Sequence, residues 1–385
     1  MKILHTSDWH LGKRLMDAER LPEQIAAIDE IVDICERERV DLVLIAGDIF
    51  DTYLPSAEAE EAFFVALKKL AGDSRAAVII SGNHDDGVRL AASAPLACEE
   101  GVYIFGNKPC VFPTGGTRPV RAVKSGERWL LIENASGERV YVNALPYPNE
   151  ARLKEDKTDE PFPEKAARWI ACGNEGYDGS VPYILLAHLF VAGGVSGEGE
   201  RNIELGGARA VPVGALPDYG YVALGHLHKK QRAGKNGRYS GSLLQYAFDE
   251  ANTEKSVVLL NTQGREITVE REIPLTAGKK LYRLEARGVD EALRLLSRYE
   301  DCYIELTLHL TAPLTTQETL RLRECNAGLV SLITRVNSDD APETVLKSSL
   351  SPQELFELYY QSKFGEEPPA ELTAAFLSLV SEEEA

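Results

Sequence analysis

The sequence predicts an α/β fold with a metal centre at the ends of its β-strands. Residues 1 to about 105 alternate short apolar runs with longer stretches of helical periodicity, which is typical of parallel strands buried on both faces and joined by helices. Five short polar signatures within residues 1–230 each follow such an apolar run. Because the carboxyl ends of parallel strands open into one crevice, we expect the five signatures to converge there.

The individual elements can be predicted in chain order. From about 107 to 147 the pattern changes to short alternating runs between Gly and Asn turns, which predicts antiparallel strands. The helix over 57–71 carries a broad apolar stripe that includes Phe63 and Leu67, and we expect this stripe to pack in the core or, less favourably, at a subunit interface. The first region is predicted to contain strands at 2–7, 42–46 and 78–81 and helices at 22–39, 57–71 and 86–98.

The five signatures share residue types that bind metals. They hold five of the seven histidines of the chain, although random placement over 385 residues would rarely achieve this. A single histidine at a strand end is usually structural, but five histidines accompanied by carboxylates and an amide indicate a site. The candidate ligands are Asp8, His10, Asp48, Asn83, His188, His226 and His228.

These ligand types predict two divalent cations. Carboxylate, imidazole and amide oxygen together suit Mn²⁺, with Mg²⁺ or Zn²⁺ a weaker fit. Asp48 can bridge two ions with its two oxygens, so Asp8, His10 and His228 are assigned to one ion, and Asn83, His188 and His226 to the other. Two such ions roughly 3.5–4 Å apart can clamp a phosphodiester and activate water.

One histidine of the signatures is expected to act on the substrate. His84 adjoins the ligand Asn83 and can face the substrate instead of the metals, so we assign it to transition-state stabilisation or protonation of the leaving oxygen. Asp51, three residues after Asp48, is the candidate to orient His84 through its other ring nitrogen. Asp85 is the competing candidate for that role.

Charge is distributed unevenly along the chain. The net charge of −18 argues on its own against a nonspecific nucleic-acid binder. Residues 229–238, directly after the last signature, nevertheless carry five positive charges and no acid. This run is either a solvated face or, as we favour, a contact to a polyanionic substrate. The candidate contacts are Lys229, Lys230 and Arg232, with Lys13 and Arg14 as minor partners.

Several functional classes are disfavoured. Neither GxxxxGK[ST] nor a convincing GxGxxG follows a strand, so any ATP dependence must come from a partner. The six cysteines are widely spaced without a CxxC pair, which argues against a zinc ribbon and a disulfide framework. No apolar run approaches a membrane span, and the first strand leaves no room for a signal peptide. We therefore expect a cytoplasmic protein without a membrane partner.

The signatures DxH, GDxxD, GNHD, a lone histidine and GHxH, in this order, resemble the calcineurin-like metallophosphoesterases over roughly residues 1–230. This resemblance implies a β-sandwich flanked by helices. Within that family, the strings SDWHLGKRL, GDIFD, SGNHD, GHLHKKQ and YSGS are similar to the nuclease subunits of bacterial DNA-repair complexes. This similarity implies manganese-dependent 3′–5′ exonuclease action on duplex ends and endonuclease action on single-stranded or hairpin DNA. It also implies a homodimer, within a heterotetramer with an ATPase partner.

Two departures from other members bear on the alternatives. Thr52 stands where the Ser/Thr protein phosphatases of the family carry arginine, and Asp85 stands where they carry glutamate. A metallophosphoesterase acting on a small phosphodiester or a phosphoprotein is therefore the second choice. A structural adaptor with a silent site is the third, but an adaptor has no need for a complete ligand set.

The chain is expected to contain four segments. They are a nuclease domain over 1–270, a linker over 271–280, a small α+β capping domain over 281–345 and a C-terminal helical pair over 346–385. In the third segment, runs at 281–286, 290–298, 302–310 and 316–332 predict strand, helix, strand and helix. By resemblance, this segment caps the nuclease and helps to select DNA.

The C-terminal segment opens with a helix-capping sequence, Ser351-Pro352-Gln353-Glu354. Helices this short are unstable unless their apolar face is buried. That face docks either on the protein itself or, as we prefer from the resemblance, on the base of the coiled coil of the ATPase partner. Its candidate contacts are Leu355, Phe356, Leu358 and Tyr359.

Overall fold

The computed structural model describes residues 1–148, 150–153, 160–197 and 210–336, together with single residues and short runs between 356 and 376. The chain divides into two compact units. The first comprises Met1–Leu308 with Thr316–Ile333, and the second comprises His309–Thr315 with Thr334–Ala385. The strands and helices of the first unit determine where the candidate site lies.

The described elements follow the predicted alternation of strands and helices in the first third of the chain. The strands are β1 (Lys2–Thr6), β2 (Leu42–Ala46), β3 (Ala76–Ile80), β4 (Val102–Phe105), β5 (Arg121–Gly126), β6 (Trp129–Glu133), β7 (Arg139–Leu145), β8 (Tyr183–His188), β9 (Tyr221–Gly225), β10 (Gln231–Ala233), β11 (Gly237–Tyr239), β12 (Ser256–Gln263), β13 (Glu266–Pro274), β14 (Lys280–Arg287), β15 (Cys302–Leu310) and β16 (Leu329–Val336). The α-helices are α1 (Leu21–Glu38), α2 (Ala57–Ala71), α3 (Gly87–Leu90), α4 (Ala94–Ala97), α5 (Glu150–Leu153), α6 (Phe162–Cys172), α7 (Val289–Leu296) and α8 (Thr316–Cys325).

The first sheet has six strands in the order β13-β12-β1-β2-β3-β4. Strands β1 to β4 are mutually parallel, as the apolar runs predict, and β12 pairs with β1 in the antiparallel sense. Two long helices pack against this sheet through the buried residues Ile28 and Ile31 of α1 and Phe63 and Leu67 of α2. The side chain of Ser56 accepts a hydrogen bond from the Ala59 amide and so caps the start of α2.

The second sheet has seven strands in the order β10-β11-β9-β8-β7-β6-β5. The predicted antiparallel strands between 107 and 147 are present as β5, β6 and β7. Leu186 and Val142 on one face share a core with Leu44 of the first sheet, whereas Leu185 on the other face packs with Trp169 of α6. The structure therefore confirms the predicted α/β fold with a β-sandwich flanked by helices.

A third sheet, β14-β15-β16, accompanies α7 and α8. The predicted strand, helix and strand between 281 and 310 are present, but the helix predicted over 316–332 is wrong in its second half. α8 ends at Cys325, and Asn326 then donates hydrogen bonds to the carbonyls of Leu296 and Tyr299 and accepts one from the Gly328 amide. This turn redirects the chain into β16. The predicted linker over 271–280 also begins inside a strand, because β13 extends to Pro274.

The apolar stripe of α2 faces the interior. Phe63 is 1 % exposed and its ring lies edge-on to Phe50 at 5.3 Å between centroids, whereas the adjacent Phe64 is 48 % exposed. The core interpretation of the Phe63 and Leu67 stripe is therefore confirmed. Among the residues that the structure describes, no helix combines the length and apolar character needed to cross a membrane.

The two neighbouring phenylalanines of α2 provide a matched test of this packing. We expect Phe63→Ala to lower the free energy of unfolding by about 3–5 kcal/mol, because it leaves a cavity in the core. Phe64→Ala on the exposed side should change it by no more than about 0.5 kcal/mol. Chemical denaturation of both variants measures the difference, and equal losses would contradict the packing of this helix.

Candidate metal centre

The five polar signatures meet at one edge of the sandwich. Strands β1, β2 and β3 are parallel neighbours in the first sheet, and β8 and β9 are parallel neighbours in the facing sheet. Each signature lies at or just beyond the carboxyl end of one of these five strands. All seven predicted ligands are consequently brought together, and every one of them is less than 9 % exposed.

The ligand atoms form two groups with Asp48 between them. In one group, Nε2 of His10 lies 3.0 Å from Nε2 of His228. In the other, Oδ1 of Asn83 lies 2.8 Å from Nε2 of His188 and 3.0 Å from Nδ1 of His226. Oδ2 of Asp48 lies 3.7 Å from Nε2 of His10 and 3.5 Å from Nε2 of His188. This is the position that a bridging carboxylate would occupy.

Asp8 lies close to both groups. One of its ligand atoms can come within 4.8 Å of ligand atoms of His10 and His228, and one can do so with those of Asp48 and His188. Its carboxylate accepts hydrogen bonds from the Ser7 hydroxyl at 2.6 Å and from the His226 amide at 3.0 Å. The predicted assignment of Asp8 to the first ion therefore stays a prediction.

The donor set fits two divalent cations. Burial lowers the pKa of His10 and of His226 to about 3, so both imidazoles are neutral and have a lone pair for a metal. The nitrogen and oxygen donors converge on a common volume and match the preferences of Mn²⁺. The residues present can thus hold the two ions that the sequence predicts.

The site concentrates buried negative charge. Burial and the neighbouring Asp48 raise the pKa of Asp8, and the same two causes raise the pKa of Asp85 to about 6. Burial would also raise the pKa of Asp48, but the charge of His188 outweighs it and holds that pKa well below its usual range. Asp48 in turn raises the pKa of His188 to about 9 against the effect of burial. Divalent cations would neutralise this cluster of carboxylates.

The backbone is unusual at the ligand positions. Seven non-glycine residues in the described part of the chain have a positive φ, and four of them are the predicted ligands Asp8, His10, Asp48 and His226. Such conformations cost of order 1–3 kcal/mol each and concentrate at functional sites. The turns after β1, β2 and β9 therefore direct these side chains inward at the expense of backbone strain.

Two signature glycines are required by close packing. A Cβ at Gly82 would lie 2.1 Å from Oδ1 of Asp48, and a Cβ at Gly225 would lie 1.9 Å from the carbonyl oxygen of Ala46. Only glycine allows the β3 and β9 turns to approach the bridging carboxylate and β2 this closely. The glycines of GNHD and GHLH therefore have a physical role beside the ligands.

His84 lies against the first group of ligands, where its ring meets that of His10 edge-on at 4.7 Å between centroids. Nδ1 of His84 donates to the backbone carbonyl of Asp51 at 2.7 Å, whereas the Asp51 carboxylate is 3.8 Å from this nitrogen. Since Nδ1 holds a hydrogen, Nε2 is the nitrogen that can meet a substrate. The contact predicted for the Asp51 side chain is thus made at shorter range by its main chain.

The two aspartates weighed for orienting His84 have different surroundings. Oδ1 of Asp51 lies 2.9 Å from Nζ of Lys13 and 3.5 Å from Nδ1 of His10. The carboxylate of Asp85 accepts hydrogen bonds from three backbone amides, those of Ile49, Phe50 and Gly82. Asp85 therefore ties the turn after β2 to the turn after β3.

Arg152 is a neighbour of the site that the sequence did not indicate. Its guanidinium donates to the carbonyls of Gly82 and Asn83 at 2.6 and 2.8 Å. It also lies 5.3 Å from the ring centroids of both Tyr53 and Tyr147. The Tyr147 ring in turn stacks on the ligand His226 at 6.3 Å. Arg152 thereby anchors the main chain of a predicted ligand from 69 residues away in sequence.

The basic residues predicted to contact a polyanion have acidic partners. Lys229 pairs with Asp249 at 3.0 Å, and Lys230 pairs with Glu254 at 3.0 Å. Lys13 pairs with Asp51, and Arg14 pairs with Glu19 at 2.8 Å. Arg232 is exposed. The positive run is thus partly neutralised by acids that lie outside it in sequence.

Comparison with known proteins agrees with this fold and site. Residues 1–230 match the family described as calcineurin-like phosphoesterase. Since the match covers more than half of the chain, the protein belongs to this family.

Two curated relatives narrow the assignment, and both are named as the SbcD component of the nuclease SbcCD. The chain is 36 % identical to the protein of this name from Bacillus subtilis, over 99 % of this chain and 98 % of that protein. It is 33 % identical to the one from Rhodobacter capsulatus, over 92 % of this chain and 91 % of that protein. Within the phosphoesterases, the chain therefore belongs to the family of SbcD proteins.

Metal binding provides a direct test of the site. Two equivalents of Mn²⁺ should raise the melting temperature of the metal-free protein, because ions that bind only the folded state stabilise it by about 2.7 kcal/mol at one hundred times their dissociation constant. Asp48→Asn should lose most of this gain, since it removes a charge between both ligand groups. Glu61→Gln, an exposed carboxyl on α2, is the control. A full gain in Asp48→Asn would contradict the bridging position.

Proposed function

We propose that this protein is the nuclease subunit of an SbcCD-type complex and hydrolyses DNA phosphodiester bonds with two Mn²⁺ ions. The observation that carries the proposal is the pair of buried ligand groups on either side of Asp48, with His84 beside the first group. Mg²⁺ is the weaker candidate, because the histidine-rich set favours a borderline cation.

The residues have separate roles in this proposal. Asp8, His10 and His228 hold one ion, Asn83, His188 and His226 hold the other, and Asp48 bridges them. When bound, the ions stabilise the charge on a phosphodiester and make water a stronger nucleophile. His84 donates a proton or hydrogen bond from Nε2 to the leaving oxygen, because Nδ1 is committed to the Asp51 carbonyl.

The finer activity follows from the family. We expect 3′–5′ exonuclease action on duplex ends and endonuclease action on single-stranded or hairpin DNA, in repair, recombination and replication in the cytoplasm. We also expect a homodimer within a heterotetramer, and a capping segment over 281–345 that helps to select DNA. Leu96 on α4 is 76 % exposed, whereas Leu90 on α3 is 4 % exposed, so Leu96 is the better candidate for a subunit contact.

DNA contacts are proposed at the basic residues around the site. Arg232 is exposed and can meet a phosphate directly. Lys229 and Lys230 must exchange the carboxylates of Asp249 and Glu254 for phosphates. Lys13 and Arg14 are the remaining candidates. Phosphate contacts of this kind position DNA without reading its sequence.

The ATPase partner SbcC is proposed to bind the C-terminal segment. Leu355 and Leu358 lie outside the described residues, as does the predicted capping sequence at 351–354. Phe356 and Tyr359 lie in helical parts of the segment, and the Phe356 ring stacks on Phe376 at 4.4 Å between centroids. Tyr359 is 56 % exposed, so its ring is accessible for a protein contact.

Nuclease activity can be tested on a 3′-end-labelled linear duplex in Mn²⁺, with and without SbcC and ATP. We expect metal-dependent loss of label that His84→Gln reduces at least about 100-fold, the typical contribution of a positioned proton donor. His309→Gln, which lies outside the five signatures, should cleave normally. An intact duplex together with hydrolysis of a small phosphodiester would instead favour a different phosphoesterase.

Partner binding can be tested by pull-down with SbcC. A chain that ends at Ala341 should retain metal-dependent cleavage but lose SbcC. In the full chain, Tyr359→Ala should weaken SbcC binding by about 30-fold, as expected for an aromatic interface anchor. Tyr219→Ala provides the control, because Tyr219 is 43 % exposed and lies elsewhere on the chain. Undiminished copurification of the shortened chain would overturn this assignment.

A further inference from the structure

A buried carboxylate that belongs to none of the five signatures contacts a predicted metal ligand. Glu250 is 0 % exposed, and its Oε1 lies 3.3 Å from Nδ1 of His228. Its other oxygen, Oε2, accepts a hydrogen bond from Nζ of Lys255. A buried charge is costly unless it is paired and hydrogen-bonded, and here each oxygen has a partner.

Lys255 ties this carboxylate to the backbone of the same histidine. Its Nζ donates to the carbonyl oxygen of His228 at 2.8 Å and to the Ser242 hydroxyl at 2.8 Å, in addition to Glu250. The three donors of the ammonium group are therefore all used. Side chain and main chain of His228 are consequently held by one buried ion pair.

The contact with Glu250 determines which nitrogen of His228 is available. Burial would raise the pKa of Glu250, but the charge of Lys255 outweighs it and lowers that pKa to about 2, so the carboxylate is ionised and can only accept. Nδ1 of His228 therefore carries the hydrogen, and Nε2 keeps its lone pair. Nε2 is the atom that lies 3.0 Å from Nε2 of His10 in the first ligand group.

The segment that carries Glu250 is held by the third sheet. Glu250 ends a 3₁₀ turn, Phe248–Glu250, and Phe248 packs in a cluster with Leu281 of β14 and Tyr303 of β15. The Gln245 side chain accepts from the Leu281 amide at 2.9 Å and donates to the Ala251 carbonyl at 3.0 Å. The turn is thus fixed from the side of the predicted capping segment.

We propose that Glu250 is a positioning residue for the first metal ion, which it serves by fixing His228, and that the β14–β15 sheet holds Glu250 in place through Phe248 and Gln245. The inference rests on the proposed metal site. Carboxylate–histidine–metal arrangements of this kind typically change metal affinity 10–100-fold when the carboxylate is removed. The second ligand group lacks this contact at His188, whose Nδ1 donates to the Ala46 carbonyl at 2.8 Å.

The inference is tested by Mn²⁺ titration calorimetry of the metal-free full chain. Wild type should bind two ions, and Glu250→Gln should bind one of them about 10–100-fold more weakly while the other keeps its affinity. Glu254→Gln, four residues away and 63 % exposed, is the matched control. A purely structural ion pair would affect both ions or neither.

A second variant tests the link to the third sheet without touching the ion pair. Gln245→Ala should weaken the same single ion, by less than Glu250→Gln, and thermal unfolding of the metal-free variants reports whether each one folds. If Glu250→Gln does not fold, the Gln245→Ala titration decides. Wild-type affinity for both ions in the variants, or equal weakening of both, would overturn the inference. A wild-type chain that binds fewer than two ions would instead overturn the proposed metal site on which it rests.

Discussion

Electrostatic repulsion between buried carboxylates is the constraint on which this site depends. Asp8 and Asp48 are both at most 2 % exposed and face each other at the carboxyl edge of the two sheets. Two negative charges in such a place are unfavourable without compensating positive charge. The surrounding histidines cannot supply it fully, because burial keeps His10 and His226 neutral. The arrangement is stable and useful once divalent cations are bound there.

The sandwich supplies the rigidity that such an arrangement requires. Each ligand turn follows a strand with fully buried side chains, so none of the turns can relax without disturbing the core. Asp85 ties two of these turns together through backbone amides, and Arg152 holds the main chain of Asn83 from outside. Backbone strain at Asp8, His10, Asp48 and His226 is therefore balanced by packing and hydrogen bonds around the site.

Local signals made much of the fold and the convergence of the candidate ligands predictable from the sequence. The apolar runs and the residues that follow them are contiguous in the chain, so the positions of Asp8, Asn83 and His226 at strand ends could be read directly. Contacts between distant segments could not be read in this way. Glu250 lies 22 residues from His228, and Arg152 lies 69 residues from Asn83. Neither of them belongs to a recognisable local pattern.

Other differences arose because several conformations share one sequence pattern. The apolar residues after Cys325 suited both a longer helix and a strand, and the Asn326 turn decided between them. Sequence also places Asp51 near His84 without showing whether its carbonyl or its carboxylate makes the contact. The basic run after His228 looked unpaired because its acidic partners, Asp249 and Glu254, follow later in the chain.

The central claim is that these strand ends hold two metal ions with Asp48 between them. Anomalous X-ray diffraction from crystals of the manganese-loaded protein tests it most directly. The account predicts two anomalous peaks about 3.5–4 Å apart, with Asp48 between them and His228 and His188 on different peaks. A single peak, or two peaks without Asp48 between them, would contradict it.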